Sequence, residues 1–279
     1  MMRAIFTAIL VLTLSSISHA QATTQPTIVR CAVINGMMDT DFWPQVAARF
    51  EKQTGIKIQT VAFGEKQTID RSFRDGGIDL ITMHSSDKII NLVADGLAMD
   101  PQPWCRNELI IVGPTNDPAG IKGMTSAGDA LRKLAASGQP LVVHASLGAQ
   151  GVLRAIVDAN DIRFDPKNIT TLFEDRQREV LKIAAEKHAY TMIGRIPFLT
   201  GKLSADGMGL MVAADEALRR PYVVAVANPN RVTGARVDAA RKLAQFLRSE
   251  ETQKWIAEFG KDKYDHRPLF FSVEIDPPK

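Results

Sequence analysis

Four short segments of the chain carry hydroxyl, imidazole, amide or guanidinium groups, and each follows an apolar run typical of a β-strand. Such groups bind oxyanions at the start of a helix, because they donate hydrogen bonds where the helix dipole adds positive charge. An arginine in this place adds a planar, permanently charged donor. The predicted anion-binding residues are Asn35, Gly36, His84, Ser85, Ser86, His144, Ser146 and Arg195.

Other functions stay open for the serines. Ser86 and Ser146 have the residue type of a helix N-cap, with or without a ligand. Ser85 and Lys88 match the S-x-x-K pattern of serine hydrolases. That short pattern is expected about once by chance in a chain of this length, and its accompanying motifs are absent. We therefore expect a binding protein and no enzyme.

Methionine and histidine residues near the same strand ends offer a soft-metal alternative. Thioether and imidazole groups suit metals such as Cu(I), although methionine more often fills gaps in a protein core. No closely spaced His/Met motif occurs, so a metal is the weaker interpretation, and we expect no cofactor. The residues in question are Met37, Met38, Met83, His84, His144 and Met192.

The elements that position these residues follow from the alternation of strand-like and helix-like patterns. This βαβ order predicts an α/β fold with two lobes, each a mostly parallel sheet flanked by helices. We expect one lobe to contain residues 27–112 plus 223–271 and the other to contain residues 113–222. Ligands of such sheets bind at the carboxyl ends of the strands, which here would face a cleft between the lobes. The predicted strands are 28–34, 56–63, 78–83, 108–112, 140–144, 189–193 and 222–227.

The amino terminus has the features of an export signal. Arg3 precedes an apolar run of about ten residues, which is shorter than the roughly 20 that cross a bilayer. Ser18-His19-Ala20 then resembles a cleavage site. Residues 1–20 are therefore predicted to be a signal peptide, and the mature protein is expected in a bacterial periplasm.

Charge and cysteine content limit the function classes further. The net charge of +3 is not concentrated in a basic patch, so nucleic acid is not an expected partner. Cys31 and Cys105 could form a disulfide in an oxidising compartment, if their Cα atoms lie within about 7 Å. Two buried thiols are the alternative.

Three segments carry a resemblance to a known family: FEKQTGIKIQTVAFG at 50–64, ELIIVGPTNDPAGIKGM at 108–124 and EFGKDKYDHRPLFF at 258–271. With them the chain resembles the periplasmic tungstate-binding proteins. This resemblance implies a two-lobed periplasmic binding protein-like fold. It also implies capture of tungstate or molybdate for an ABC transporter permease in the inner membrane, by a protein acting as a monomer.

The sequence departs from that family where the ligand should lie. A Thr/Ser-rich run of the family falls on residues 33–36, which here are Val33, Ile34, Asn35 and Gly36. A family arginine falls on His144, whose neutral imidazole is a weaker partner for an anion. An altered ligand on the same scaffold, an organic anion or a soft metal, is therefore the alternative, as is a role as a sensor subunit.

Overall fold

Strands and helices alternate along the chain from Ile28 onward, as the sequence pattern predicts. The structure, a computed structural model, describes residues 27–84, 86–145, 148–173 and 177–275. The predicted signal peptide lies outside the described residues. The strands are β1 (Ile28–Ile34), β2 (Lys57–Gly64), β3 (Leu80–Met83), β4 (Ala98–Pro114), β5 (Leu141–His144), β6 (Ile169–Leu172), β7 (Tyr190–Gly194), β8 (Met208–Val212) and β9 (Arg219–Ala227). The α-helices are α1 (Asn35–Asp39), α2 (Phe42–Thr54), α3 (Lys66–Asp75), α4 (Ser86–Ala94), α5 (Ala127–Ser137), α6 (Gly148–Ala159), α7 (Gln177–Glu186), α8 (Arg195–Leu199), α9 (Val237–Leu247) and α10 (Glu250–Ile256).

The strands of the described chain join in the order β2-β1-β3-β9-β4-β7-β5-β6, with β8 paired to β4. In the first half, β1 pairs in parallel with β2 and β3. In the second half, β5 pairs in parallel with β6 and β7. The antiparallel pair of β4 and β9 lies between these halves. Strand β9 also pairs antiparallel with β3, and β4 pairs antiparallel with β7 and β8. Each half thus has parallel strands bordered by antiparallel ones and is less purely parallel than predicted, and the predicted α/β class with two lobes is confirmed.

Strand β4 runs through both halves of the sheet. It pairs with β9 as far as Glu108, opposite Arg219. From Leu109, opposite Gly194, it pairs with β7, and from Ile111 it also pairs with β8. Strand β4 therefore changes its pairing partner between two consecutive residues, which places the transition between the halves at this point.

Buried apolar side chains form separate groups on either side of this transition. One group gathers residues from 29–105 and 222–270, together with Ile196. The other gathers residues from 109–218. In the first group the ring of Phe42 stacks on Phe270 at 4.0 Å, on Trp255 at 5.2 Å and on Trp104 at 5.7 Å. Aromatic pairs of this kind contribute about 0.5–1.5 kcal/mol each beyond the burial of their area.

Both ends of α5 have the residue types that favour helix termini. Ser126 caps α5 by accepting a hydrogen bond from the Asp129 N–H at 3.1 Å. The same helix ends at Gly138, whose φ of 68° is left-handed and costs glycine little. Among the described residues, no helix combines the length and apolar character needed to cross a bilayer.

Both cysteines are free, and the disulfide that they could have formed is absent. Cys31 lies on β1 and Cys105 on β4, and the strands β3 and β9 lie between them. Because neighbouring strands are about 4.8 Å apart, these two strands lie roughly 14 Å apart, twice the reach of a disulfide. Burial raises the pKa of both thiols well above the ordinary value.

Candidate functional site

A cavity of about 240 Å³ opens where segments of both halves meet. Its wall includes residues that end or directly follow the strands β1, β3 and β7, together with the first residues of α3 and α6. These are the carboxyl ends of parallel strands, the place where open α/β sheets bind ligands. The lining residues are Ile34, Asn35, Gly36, Asp39, Lys66, His84, Asn107, Gly148, Ala149, Gly194, Ile196, Pro197, Thr200, Lys202, Arg220 and Tyr222.

Two cationic side chains converge on the first residue of α6. A methyl group placed on Gly148 would lie 2.8 Å from Lys66 Nζ and 2.9 Å from Arg220 Nη1. Helix α6 has 12 residues, so its free N–H groups and its dipole add positive potential at the same point. Among the described residues, no carboxylate forms an ion pair with Lys66 or Arg220.

The pKa values of these groups are set first by burial, and the charge of Asp87 partly opposes the lowering at Lys66. Burial, and next the charge of Arg220, lower the pKa of Lys66 to about 8. Burial lowers the pKa of Arg220 to about 10. Burial also holds the pKa of His84 well below its ordinary value, and the charges of Arg220 and Lys66 add to this effect. The imidazole is therefore neutral at pH 7, and a bound anion would supply the missing counter-charge.

Neutral groups complete the cationic end of the cavity. His84 Nδ1 is buried without a hydrogen-bond partner among the described residues, and the ring lies 5.3 Å from that of Tyr222. Asn107 Oδ1 accepts a hydrogen bond from Arg220 Nε at 3.3 Å, which orients the guanidinium. The unpartnered imidazole nitrogen is available to a ligand in the cavity.

The predicted site residues divide into three groups. Asn35, Gly36 and His84 line the cavity together, as the spacing of the strands suggested. Ser85 and Ser146 lie outside the described residues, as does the side chain of Ser86. The remaining two, His144 and Arg195, do not line the cavity. For all of them, contact with a ligand stays a prediction.

Arg195 lies behind the wall and does not line the cavity. Its neighbours Gly194 and Ile196 do so, but its own side chain is only 2% exposed. Arg195 Nε donates to Asp265 Oδ2 at 3.0 Å, Nη2 donates to the same carboxylate, and Nε lies 3.5 Å from Glu108 Oε2. Although burial opposes it, the hydrogen bond from Arg195 lowers the pKa of Asp265. The positive charge of Arg195, which we expected to bind the ligand, is thus neutralised by carboxylates of the protein.

This arginine belongs to a network at the residue where β4 changes partners. Glu108 Oε1 accepts from Arg267 Nη2 at 2.6 Å and from the Ala214 N–H at 3.2 Å. The guanidinium of Arg219 lies 4.1 Å from the centre of the Phe271 ring. Segments from both halves and the carboxyl-terminal segment therefore meet here, so the network ties the halves together beside the cavity.

His144 ends β5 and is buried, with 6% exposure. It lines a separate cavity of about 10 Å³, together with Gln150 and Met192. That volume has room for about one water, so it is too small for a tetrahedral oxyanion. The structure therefore does not bring His144 to the cationic cavity.

The methionines of the soft-metal alternative are core residues. Met37 and Met83 are fully buried in the first apolar group, and Met192 is buried in the second. None of them lines the 240 Å³ cavity. Among the described residues, no group of three or more His, Cys, Asp or Glu side chains has the arrangement of a metal site.

Sequence reasoning missed the two cations that define the cavity. Lys66 follows β2 in the manner of the predicted site segments, so its position at a strand end was a usable signal. Arg220 lies near the start of β9, which runs antiparallel to β4, and no local pattern marks it. Its place depends on a pairing between segments far apart in the chain.

The chain was compared with known families and structures. Residues 36–261 match the model of the family described as bacterial extracellular solute-binding protein. The chain belongs to this family. It is 27% identical over 242 residues to the tungstate-binding protein TupA of Peptoclostridium acidaminophilum, covering 86% of this chain and 83% of the relative.

Solved structures agree with this family assignment at the level of the fold. The tungstate-binding protein TupA from Desulfovibrio alaskensis G20 superposes with a TM-score of 0.71 at 24% identity, covering 88% of this chain and 99% of that one. A tungstate ABC transporter structure from Geobacter sulfurreducens gives a TM-score of 0.66 at 24% identity, covering 83% and 98%. This solute-binding protein therefore has the two-lobed fold of these proteins, and the resemblance seen in its sequence is confirmed.

Proposed function

We propose that this solute-binding protein captures a small oxyanion, tungstate or molybdate, in the 240 Å³ cavity and delivers it to an ABC transporter. The observation that carries the proposal is the convergence of Lys66 Nζ and Arg220 Nη1 on the first residue of α6, with no carboxylate paired to either among the described residues. The name of the relative from Peptoclostridium acidaminophilum supports tungstate as the ligand.

The energetics favour an anion at this point. Burial lowers the pKa values of both cations, and the charge of Arg220 lowers that of Lys66 further, so removal from water disfavours their charged forms. A hydrogen bond to a charged group contributes about 1.5–3 kcal/mol, and an N-terminal helix dipole contributes up to about 2 kcal/mol in a partly buried site. A doubly charged oxyanion gains from both cations and from α6 at once.

The cavity is large enough for a tetrahedral oxyanion with part of its hydration shell. Its 240 Å³ is many times the roughly 10–15 Å³ of cavity that one water requires. Movement of the halves about the β4 and β9 strands would reduce this space, which is the usual hinge closure of two-lobed binding proteins. The pairing change at Glu108 and Leu109 and the two apolar groups support lobes close to those predicted, 27–112 plus 223–271 and 113–222.

The remaining parts of the proposal concern where and with what the protein acts. We place it in the periplasm as a monomer that acts by binding and not by catalysis. Its partner would be the permease of the transporter in the inner membrane. The family is extracellular by description, and the export signal predicted at residues 1–20 supports this compartment.

Calorimetry on the mature protein tests the proposed ligand. We expect molybdate and tungstate to bind, and Arg220→Gln and Lys66→Met each to weaken binding by roughly tenfold or more, since each removes one charged donor. Arg132→Gln is the matched control, because Arg132 is an exposed arginine that pairs with Asp129 on α5. A wild-type protein that binds neither oxyanion, or an Arg220→Gln variant that binds as well as Arg132→Gln, would contradict the proposal.

A further inference from the structure

One ion pair lies in the wall of the cavity itself. Lys202 Nζ lies 2.5 Å from Asp39 Oδ2, and both residues line the cavity. Asp39 is the last residue of α1, which begins directly after β1. Lys202 follows α8, which begins directly after β7. The pair therefore joins a segment that follows the first half of the sheet to one that follows the second.

The segment that carries Lys202 is held at both of its ends. Ile196 in α8 is buried among the side chains of the first apolar group, and Leu199 packs against the same group. Leu203 is buried with Ile110 and Leu181, which belong to the second half. Lys202 is consequently fixed between the halves, and its contact with Asp39 depends on their relative position.

The charges around the cavity explain why this contact matters for an anion. Lys66, Lys202 and Arg220 line the described wall as cations, and Asp39 is the one carboxylate among the lining residues. A carboxylate that faces an anion cavity repels the ligand. In the ion pair with Lys202 that repulsion is cancelled, which leaves at the first residue of α6 two cations that have no ion-pair partner among the described residues.

We propose that Asp39 and Lys202 are a specificity-determining pair, in which Lys202 neutralises Asp39 so that the cavity presents two net positive charges to a doubly charged oxyanion. This inference rests on the proposed function, since it concerns the same cavity. It assigns Lys202 an indirect role: the lysine acts on the ligand by cancelling Asp39 and not by contacting the anion.

A rescue experiment separates these roles. Molybdate binding is measured by calorimetry for wild type, Lys202→Gln, Asp39→Asn and the double variant Asp39→Asn/Lys202→Gln. Lys202→Gln should weaken binding up to about fivefold, the range for a partly exposed ion pair. Asp39→Asn should bind no more weakly than wild type. The double variant should recover to within about twofold of wild type, because removing the carboxylate removes the need for Lys202.

The pair is partly exposed, with side-chain exposures of 53% for Lys202 and 31% for Asp39, so these variants should fold. Circular dichroism and thermal unfolding of each variant check this directly. Lys182→Gln serves as the matched control, because Lys182 forms an exposed ion pair with Glu186 on α7 and lines no part of the cavity. Its molybdate affinity should equal that of wild type.

The outcomes distinguish the two levels of the proposal. Weakening by Lys202→Gln with recovery in the double variant supports the specificity-determining pair. A double variant that binds as weakly as Lys202→Gln would mean that the lysine contacts the anion itself. Unchanged binding in Lys202→Gln would mean that the pair has no role. Either result overturns this inference but leaves the proposed function standing. Absence of molybdate and tungstate binding in wild type overturns the proposed function and this inference with it.

Discussion

Replacement of Gly148 by alanine should damage anion binding while leaving the fold intact. The new methyl carbon would lie 2.8 Å from Lys66 Nζ and 2.9 Å from Arg220 Nη1, whereas ordinary contacts begin at 3.4 Å. Both nitrogens end flexible side chains, so they can move by about half an ångström without strain in the backbone. That movement takes the cations away from the first residue of α6, where the anion is expected.

The size of the effect follows from the hydrogen bonds that are disturbed. Loss of one charge-assisted hydrogen bond costs about 2 kcal/mol, which weakens binding roughly thirtyfold. Stability should not fall, because alanine is favoured over glycine in a helix by up to about 1 kcal/mol. Calorimetry with molybdate and thermal unfolding of the same protein measure both quantities.

Gly151→Ala is the matched control within the same helix. A methyl group on Gly151 would meet nothing within 4 Å, so this variant gains the helix propensity of alanine without touching the cations. We expect its molybdate affinity to equal that of wild type. Equal losses in the two variants, or an affinity of Gly148→Ala within about threefold of wild type, would refute the placement of the anion at this point.

Three further predictions concern pH, the network and the thiols. Because the pKa of Lys66 is lowered to about 8, the affinity for the anion should be constant below that pH. Above that pH Lys66 loses its charge, and the affinity should fall by a factor that approaches tenfold per pH unit. Calorimetry of the Lys66→Met variant should show that this pH dependence is lost. Arg195→Leu removes the guanidinium that pairs with Asp265 and lies beside Glu108, and it should lower the free energy of unfolding by about 3 kcal/mol. Urea denaturation that shows a loss under about 1 kcal/mol would contradict the network. Cys31 and Cys105 should react with an alkylating reagent only after denaturation, as detected by mass spectrometry. Thiols that remain unmodified after denaturation without a reductant would indicate a disulfide instead.

Local patterns in the sequence account well for the first half of the fold. The strand 28–34, the helix that Gly55 ends and the strand that follows it all have the predicted type, because periodicity and glycine caps are local signals. Strand β4 is much longer than predicted, since Pro101 and Pro103 argue against a strand. The structure accommodates these prolines where the β4–β9 register shifts, between Met99 and Gln102 and between Pro103 and Cys105.

The candidate site was predictable in its location but not in its charges. Strand ends identify the cleft, and Asn35, Gly36 and His84 do line the cavity. Arg195 shows the limit of this reasoning: consecutive residues at a strand end point to opposite sides, and its side chain points away from the cavity. Arg220 reaches the cavity through strand pairing between distant segments, which sequence patterns do not show.

The aromatic cluster around Phe42 has a consequence for the order in which the protein can assemble. Its partners Trp255 and Phe270 lie in the carboxyl-terminal part of the chain, whereas Phe42 is the first residue of α2 in the amino-terminal part. A chain emerging from the ribosome therefore lacks half of this core until synthesis is nearly complete, and contacts so distant in sequence form slowly. The export that we propose for this protein would benefit from this delay, because the chain would stay unfolded until its last segment had passed through the translocase.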